Sequence, residues 1–202
     1  MKHKALIFMA GLISSIEALL SPVAAETLSI SALKAPSGYE GRIRLKRFLD
    51  EPDGYCLDVP GPHDQLQLST PAWAHTCHFD ALPDQVFKYN MDDNGQIRWV
   101  FQTHDLCLTA NKLEKSARFK FSPCDEPRLQ RFDVTDLGEL KIRGGDLCLF
   151  VEGTGPYNDF KDPFGGGRPV HAPSSHLARF LELYPCGSGV PDMSRWRAFT
   201  QS

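Results

Sequence analysis

The stretch Tyr55-Cys56-Leu57-Asp58-Val59 is echoed by Leu106-Cys107-Leu108-Thr109-Ala110 and again by Leu147-Cys148-Leu149-Phe150-Val151. Working outward, each Cys-Leu follows a short strand-like stretch, at residues 42–49, 96–100 and 139–143. Each is followed by a second cysteine: Cys77, Cys124 or Cys186. A polar-x-aromatic step closes each unit, as Gln85-Val86-Phe87, Gln130-Arg131-Phe132 and Ser194-Arg195-Trp196, the third without the glutamine. One plan of four strand-like segments thus occurs three times. A single unit cannot bury its own apolar face, so the three must share a core. Closing the strands around that core removes exposed sheet edges.

Alternation supports strands over helices: Ile43, Leu45 and Phe48 (with one slip), Phe119 and Phe121, Leu140 and Ile142, Phe180 and Leu183. Gly and Pro punctuate the gaps, at Pro52-Asp53-Gly54, Gly61-Pro62, Asn94-Gly95, Leu137-Gly138 and Gly144-Gly145. Residues 110–116 allow one helical turn at most. The glutamine of each closing step is expected to satisfy backbone groups in a tight turn, and the aromatic to enter the shared core.

The first residues read as a secretory signal peptide, 1–25. Lys2 and Lys4 supply the positive end, an apolar stretch runs to Leu20, and Val23-Ala24-Ala25 supplies the small residues at the cut. A spanning helix needs about 20 apolar residues with few charges. Glu17 and the Ser14-Ser15 pair argue against one. The expected mature chain is secreted or periplasmic and does not span a membrane. Residues 26–39 read as a loose N-terminal arm. Residues 40–202 read as one domain, with repeats at about 40–91, 92–135 and 136–202. Net charge is −3, and removal of the signal leaves 20 basic against 24 acidic residues. Such a chain has no general attraction to nucleic acid or anionic lipid. Local basic patches stay open.

All six cysteines lie in the mature part, and an even count behind an export signal reads as disulfides. Count alone leaves many pairings, but equivalent positions in equivalent units should pair alike. The expectation is Cys56–Cys77, Cys107–Cys124 and Cys148–Cys186, each worth about 2–4 kcal/mol by the chain-entropy argument.

Three ordered Cys-Leu and Gln-x-aromatic units resemble the ricin B-type lectin family. The resemblance spans about residues 40–200. It implies an all-β fold, a β-trefoil of three four-strand repeats with a disulfide inside each. It also implies carbohydrate binding of a galactose type and no catalysis. The sequence departs from the family in carrying phenylalanine for tryptophan in two closing steps. It also carries an insert at about 153–178 in the third repeat, with Tyr157, Phe160 and Phe164 among glycines. A loop this long is either functional or a tolerated surface insertion.

In the family each repeat can offer a shallow sugar pocket. Its aspartate lies two residues after the first cysteine, its aromatic platform two before the second, and a polar-Gln pair just beyond. The resemblance carries these roles to Asp58, to His75 and to Asp84-Gln85 in repeat one. Trp73, of the same strand parity as His75, is a second platform candidate. The competing role for Asp58 is to cap the turn before Pro60-Gly61-Pro62. In repeat two Thr109 and Ser122 occupy the two positions, and no sugar site is expected. Repeat three offers Tyr184 and Glu182 as a second candidate site, but Phe150 stands where the aspartate belongs.

No cofactor and no metal is called for. His75-Thr76-Cys77-His78 lacks zinc-ligand spacing, and Cys77 is better read as half a disulfide. His171 and His176 fall on the insert. No nucleophile elbow or phosphate loop is present, and nothing singles out a glycosidase pair of acids. The leading reading is a secreted lectin. The binding subunits of cytolethal distending toxins are similar in plan, which implies a catalytic or toxin subunit as partner. The alternative is a protein-interaction trefoil, an inhibitor or assembly subunit, with eroded sugar sites.

Overall fold

The computed structural model describes residues 27–34, 38–61, 65–78, 83–90, 94–152, 177–188 and 191–200. The segment 1–25, expected from the sequence to be a signal peptide, and the body of the insert, with His171 and His176, lie outside the described residues.

Strand β1 (Thr27–Ser29) and the one-turn helix α1 (Ile30–Leu33) precede the first repeat. That repeat holds β2 (Tyr39–Leu45), β3 (Tyr55–Asp58), β4 (Trp73–Thr76) and β5 (Phe87–Asn90). The second holds β6 (Gln96–Phe101), β7 (His104–Ala110), β8 (Phe119–Pro123) and β9 (Phe132–Val134). The third holds β10 (Leu140–Ile142), β11 (Leu147–Val151), β12 (Ala178–Pro185) and β13 (Trp196–Thr200). A single helical turn starting at proline precedes each repeat's fourth strand: Pro83–Gln85, α2 (Pro127–Gln130) and Pro191–Met193. Proline suits a first helical position because its missing N–H has no partner there anyway.

The first and fourth strands of the repeats close a six-strand barrel. Strand β2 pairs with β5 and β13, β5 with β6, and β9 with β10. Two short junctions finish the ring: Phe132 N–H to Gly95 O at 2.9 Å, and Trp196 N–H to Gly138 O at 2.7 Å. The second and third strands form three hairpins, β3–β4, β7–β8 and β11–β12. These meet around the pseudo-threefold axis through backbone bonds: Ala72 N–H to Phe119 O, Leu181 N–H to Ala72 O, and Leu183 N–H to Ala117 O, at 2.8–3.1 Å. Barrel closed by barrel strands, capped by three hairpins, is the β-trefoil.

The core is the set of inward positions. Phe87, Phe132 and Trp196, the aromatics of the three closing steps, are fully buried, with Ile43, Leu57, Tyr89, Trp99, Phe119, Leu149 and Leu183. Their polar atoms are used inside: Tyr89 donates to Phe132 O at 2.9 Å, and Trp196 Nε1 to Leu149 O at 3.1 Å. The disulfides join Cys56–Cys77, Cys107–Cys124 and Cys148–Cys186, as the repeat argument expects.

Two expectations need correction. Phe48 does not continue the β2 stripe. The strand ends at Leu45, and Phe48 is 48 % exposed with the Arg44 guanidinium 4.4 Å from its ring centre. The slip in alternation marks the strand's end. The N-terminal arm is also not loose. β1 pairs with β13 from Thr27↔Thr200 to Ser29↔Ala198, and Leu33 is fully buried in the core. β13 would otherwise be a free edge on that side, which a short covering strand removes.

The third-repeat hairpin is clamped to repeat one. Strand β12 pairs with β4, bringing Ala178 opposite His75 and Phe180 opposite Trp73. Buried Arg179 donates to Asp50 Oδ1 and to Glu152 O, at 2.9 and 2.8 Å. Leu177 N–H reaches Thr76 Oγ1 at 3.0 Å, and that hydroxyl donates to Glu51. The chain therefore returns from the insert, at Leu177, beside the strand that carries His75.

Candidate functional site

The site of repeat one is assembled from β3, β4 and the Pro83 turn. Two ladder rungs set the geometry: Cys56 faces His75 and Asp58 faces Trp73. The disulfide Cys56–Cys77 ties the same two strands at their other end. Asp58 is 4 % exposed. Burying a carboxylate is costly unless hydrogen bonds replace its water. Trp73 Nε1 donates to Asp58 Oδ1 at 3.1 Å, and Gln85 Nε2 donates to Oδ2 at 2.7 Å. His75 Nδ1 stands 3.8 Å from Oδ2. The side chain of Asp58 therefore bonds within this cluster and not to the Pro60 turn. The turn's backbone is held instead by Val59 N–H to Asp84 O at 3.1 Å. Burial first, and then the charge of Asp84, push the Asp58 carboxyl well above the usual aspartate range, while Gln85 and Trp73 pull it down.

Gln85 does what the tight-turn argument expects, and more. Its Nε2 also donates to Thr76 O at 2.9 Å, and its Oε1 accepts from His78 N–H at 2.9 Å. Trp73 is 4 % exposed, so it offers an N–H to the acid and no open face to a ligand. His75 remains partly exposed, and its ring lies in a stack of three: 6.0 Å from Trp73 and 5.4 Å from His78. His78 is not among the site residues expected from the sequence. Its signal there is the His75-x-x-His78 spacing, which reads first as a metal pattern.

The structure thus brings Asp58, Trp73, His75 and Gln85 together, with Asp84 next to them. The equivalent places in the other repeats are filled. In repeat two Thr109 Oγ1 lies 2.8 Å from Ser122 Oγ and accepts from Gln130 Nε2 at 2.9 Å. Its own proton is in reach of Cys107 O at 2.9 Å. Gln130 also repeats the Gln85 pattern, donating to Pro123 O and accepting from Glu126 N–H. In repeat three Phe150 and Tyr184 touch, with ring centres 5.4 Å apart. Lys115 Nζ, from repeat two, lies 4.3 Å from the Tyr184 ring centre. Phe150 and Lys115 thus both pack against the Tyr184 ring. Glu182 faces Phe150 across the ladder and sits among Arg118, Glu152 and Lys115. Burial raises its pKa. Both Glu152 oxygens accept from Arg118, at 2.8 and 3.0 Å.

The lost glutamine of repeat three is replaced from another place. Buried Glu139 accepts from Gly187 N–H at 3.1 Å and from Ser194 Oγ–H at 3.2 Å. Gly187 follows Cys186 as His78 follows Cys77, so the same turn is held by a carboxylate from the preceding strand. Glu139 also lies near the sulfurs of Cys148 and Cys186, but these are bonded to each other and so are not thiolate ligands. Among the described residues no helix is long and apolar enough to cross a membrane.

A comparison with protein-family profiles matches residues 47–161 to the ricin-type beta-trefoil lectin domain. A search of curated proteins returns no match. The matched span holds all of the repeat-one cluster, the whole of repeat two and the Cys-Leu strand of repeat three. With three hairpin-capped repeats, a disulfide in each, and a buried acid two residues after the first cysteine, the chain belongs to the ricin-type β-trefoil lectin family, a family of carbohydrate-binding modules.

Proposed function

We propose that this protein is a secreted lectin that binds one glycan, of a galactose type by family resemblance, at repeat one. The observation that carries this reading is the Asp58 cluster. A carboxylate's two oxygens offer about four acceptor positions, and the indole and the amide take two. Asp58 keeps capacity for sugar hydroxyls, Asp84 adds a second acid, and the partly exposed His75 supplies a ring for the apolar face of a sugar. In this reading Trp73 and Gln85 act by holding Asp58. The filled repeats two and three leave a single site, so tight attachment would depend on multivalency or on a partner chain. A role as binding subunit for a catalytic or toxin chain follows from that need, by analogy of plan only.

A second reading, a protein-interaction trefoil, is favoured by the Lys115–Tyr184–Phe150 packing, which uses up one pocket from within. A glycan-array screen of the disulfide-bonded chain beside Asp58→Ala separates the two. Binding lost in the variant, with its melting transition retained, supports the lectin. Silence on the array from folded native protein contradicts it and favours a protein partner.

A further inference from the structure

We infer that the outward face of the β2–β13 ribbon is a separate binding surface for an anionic oligosaccharide, one bearing sulfate or carboxylate groups. The two strands are antiparallel, with Leu45 opposite Trp196, Arg44 opposite Arg197 and Ile43 opposite Ala198. Ile43, Leu45, Trp196 and Ala198 are buried in the core. Strand alternation therefore sends Arg42, Arg44 and Lys46 to the other face from one side, and Arg195 and Arg197 from the other. Lys46 N–H bonds to Arg195 O at 2.7 Å, which sets Lys46 beside Arg195.

Arg42 and Arg44 are largely covered; Lys46 and Arg47 are exposed, and Arg195 and Arg197 are half-buried. The accessible part is thus Lys46, Arg195 and Arg197 on one small ribbon, with exposed Arg47 just past the end of β2, in a chain whose net charge is −3. Like charges placed opposite each other weaken a ladder, so this arrangement costs stability that a bound anion would return. Among the described residues, the acids beside the accessible cations do little to offset them. Arg47 and Asp192 make only an exposed 3.4 Å pair, of a kind that contributes little. Glu139, bridged to Arg195 through the backbone, spends its carboxylate on Gly187 and Ser194. The buried Nε of Arg195 has no hydrogen-bond partner among the described residues. Burial, and then the Arg195 charge, lower the Arg197 pKa. At the end of the ribbon Phe48 presents an exposed ring beside the Arg44 guanidinium.

Guanidinium forks match sulfate and carboxylate oxygens in pairs, and an exposed ring suits the C–H face of a sugar. Salt-dependent nucleic-acid binders make about 6–10 phosphate contacts, more than this ribbon offers. The acidic remainder of the chain repels an extended polyanion or an anionic membrane at a distance. A short anionic sugar chain fits both limits.

The test is titration of the intact disulfide-bonded chain with a heparin-derived octasaccharide, its desulfated counterpart, a short DNA duplex and phosphatidylserine vesicles. The expected result is binding of the sulfated sugar that salt weakens by about tenfold or more between low and moderate ionic strength. Arg195→Gln with Arg197→Gln is expected to weaken it by a similar factor while recognition through repeat one persists. If that double variant loses its melting transition, Lys46→Gln with Arg47→Gln at the exposed positions replaces it. No binding of the sulfated sugar overturns the proposal, as does unchanged affinity in the variants. Tighter binding of the duplex or the vesicles also overturns it.

Discussion

Trp73 Nε1 donates to Asp58 Oδ1 at 3.1 Å across a single rung of the β3–β4 ladder. The bond makes the tryptophan a holder of the acid, and it orients the carboxylate from one side while Gln85 orients it from the other. Trp73→Phe keeps most of the ring and deletes the donor. A hydrogen bond to a charged group is worth about 1.5–3 kcal/mol, so urea unfolding should show a loss of that order, with sugar affinity falling alongside. Affinity preserved in Trp73→Phe would mean that the ring itself stacks on the ligand.

The raised Asp58 pKa has a defined sign. Its main cause is burial, so the folded state favours the neutral acid. A carboxyl raised on folding contributes stability that is full below its unfolded value and lost as pH rises through its folded value. Asp58→Asn removes the titration. Unfolding measured from neutral pH down to the ordinary carboxylate range should show the native chain gaining on Asp58→Asn as pH falls. Sugar binding should move the other way, weakening as the acceptor carboxylate is protonated. A stability difference that stays flat with pH would contradict the assignment.

Glu139 stands in for the missing glutamine of repeat three. Glu139→Ala leaves the buried Ser194 hydroxyl and the Gly187 N–H without their acceptor. Orphaned buried groups cost about 1–3 kcal/mol each, so a clear drop in melting temperature is expected. Glu139→Gln keeps an acceptor and should recover most of it.

The disulfides close loops with sequence separations of 21, 17 and 38 residues. By the chain-entropy relation the first two are worth about 3 kcal/mol each and the third about 4 kcal/mol. Paired Cys→Ala variants should lose stability in that order, with Cys148/Cys186 the most costly. Equal losses would mean that native-state packing around each bridge, and not loop length, sets its worth.

The parts of this structure that repeat are legible in the residues. Three Cys-Leu strands, three second cysteines and three closing aromatics point to the trefoil, the disulfides and the core positions, because a signal seen three times is hard to misread. The turn-holding role of Gln85 and Gln130 follows from the same register. The prolines at Pro83, Pro127 and Pro191 carry the same periodic information, as the starts of the three short helical turns. What the sequence hides is non-local. Strand parity places Trp73 on the face of His75, but nothing in spacing says that its indole turns to Asp58. Lys115 reaches Tyr184 from another repeat, and Glu139 serves a turn some fifty residues away. The seating of the N-terminal arm depends on the exposed edge of β13, which exists only once the barrel has closed.

The most direct test of the repeat-one assignment is titration calorimetry with a glycan found on the array, run on the native chain, Asp58→Ala and Tyr184→Ala. The account predicts one site per native chain, no measurable binding in Asp58→Ala with its melting transition intact, and unchanged binding in Tyr184→Ala. Native affinity in a folded Asp58→Ala chain, or loss in Tyr184→Ala, would contradict it.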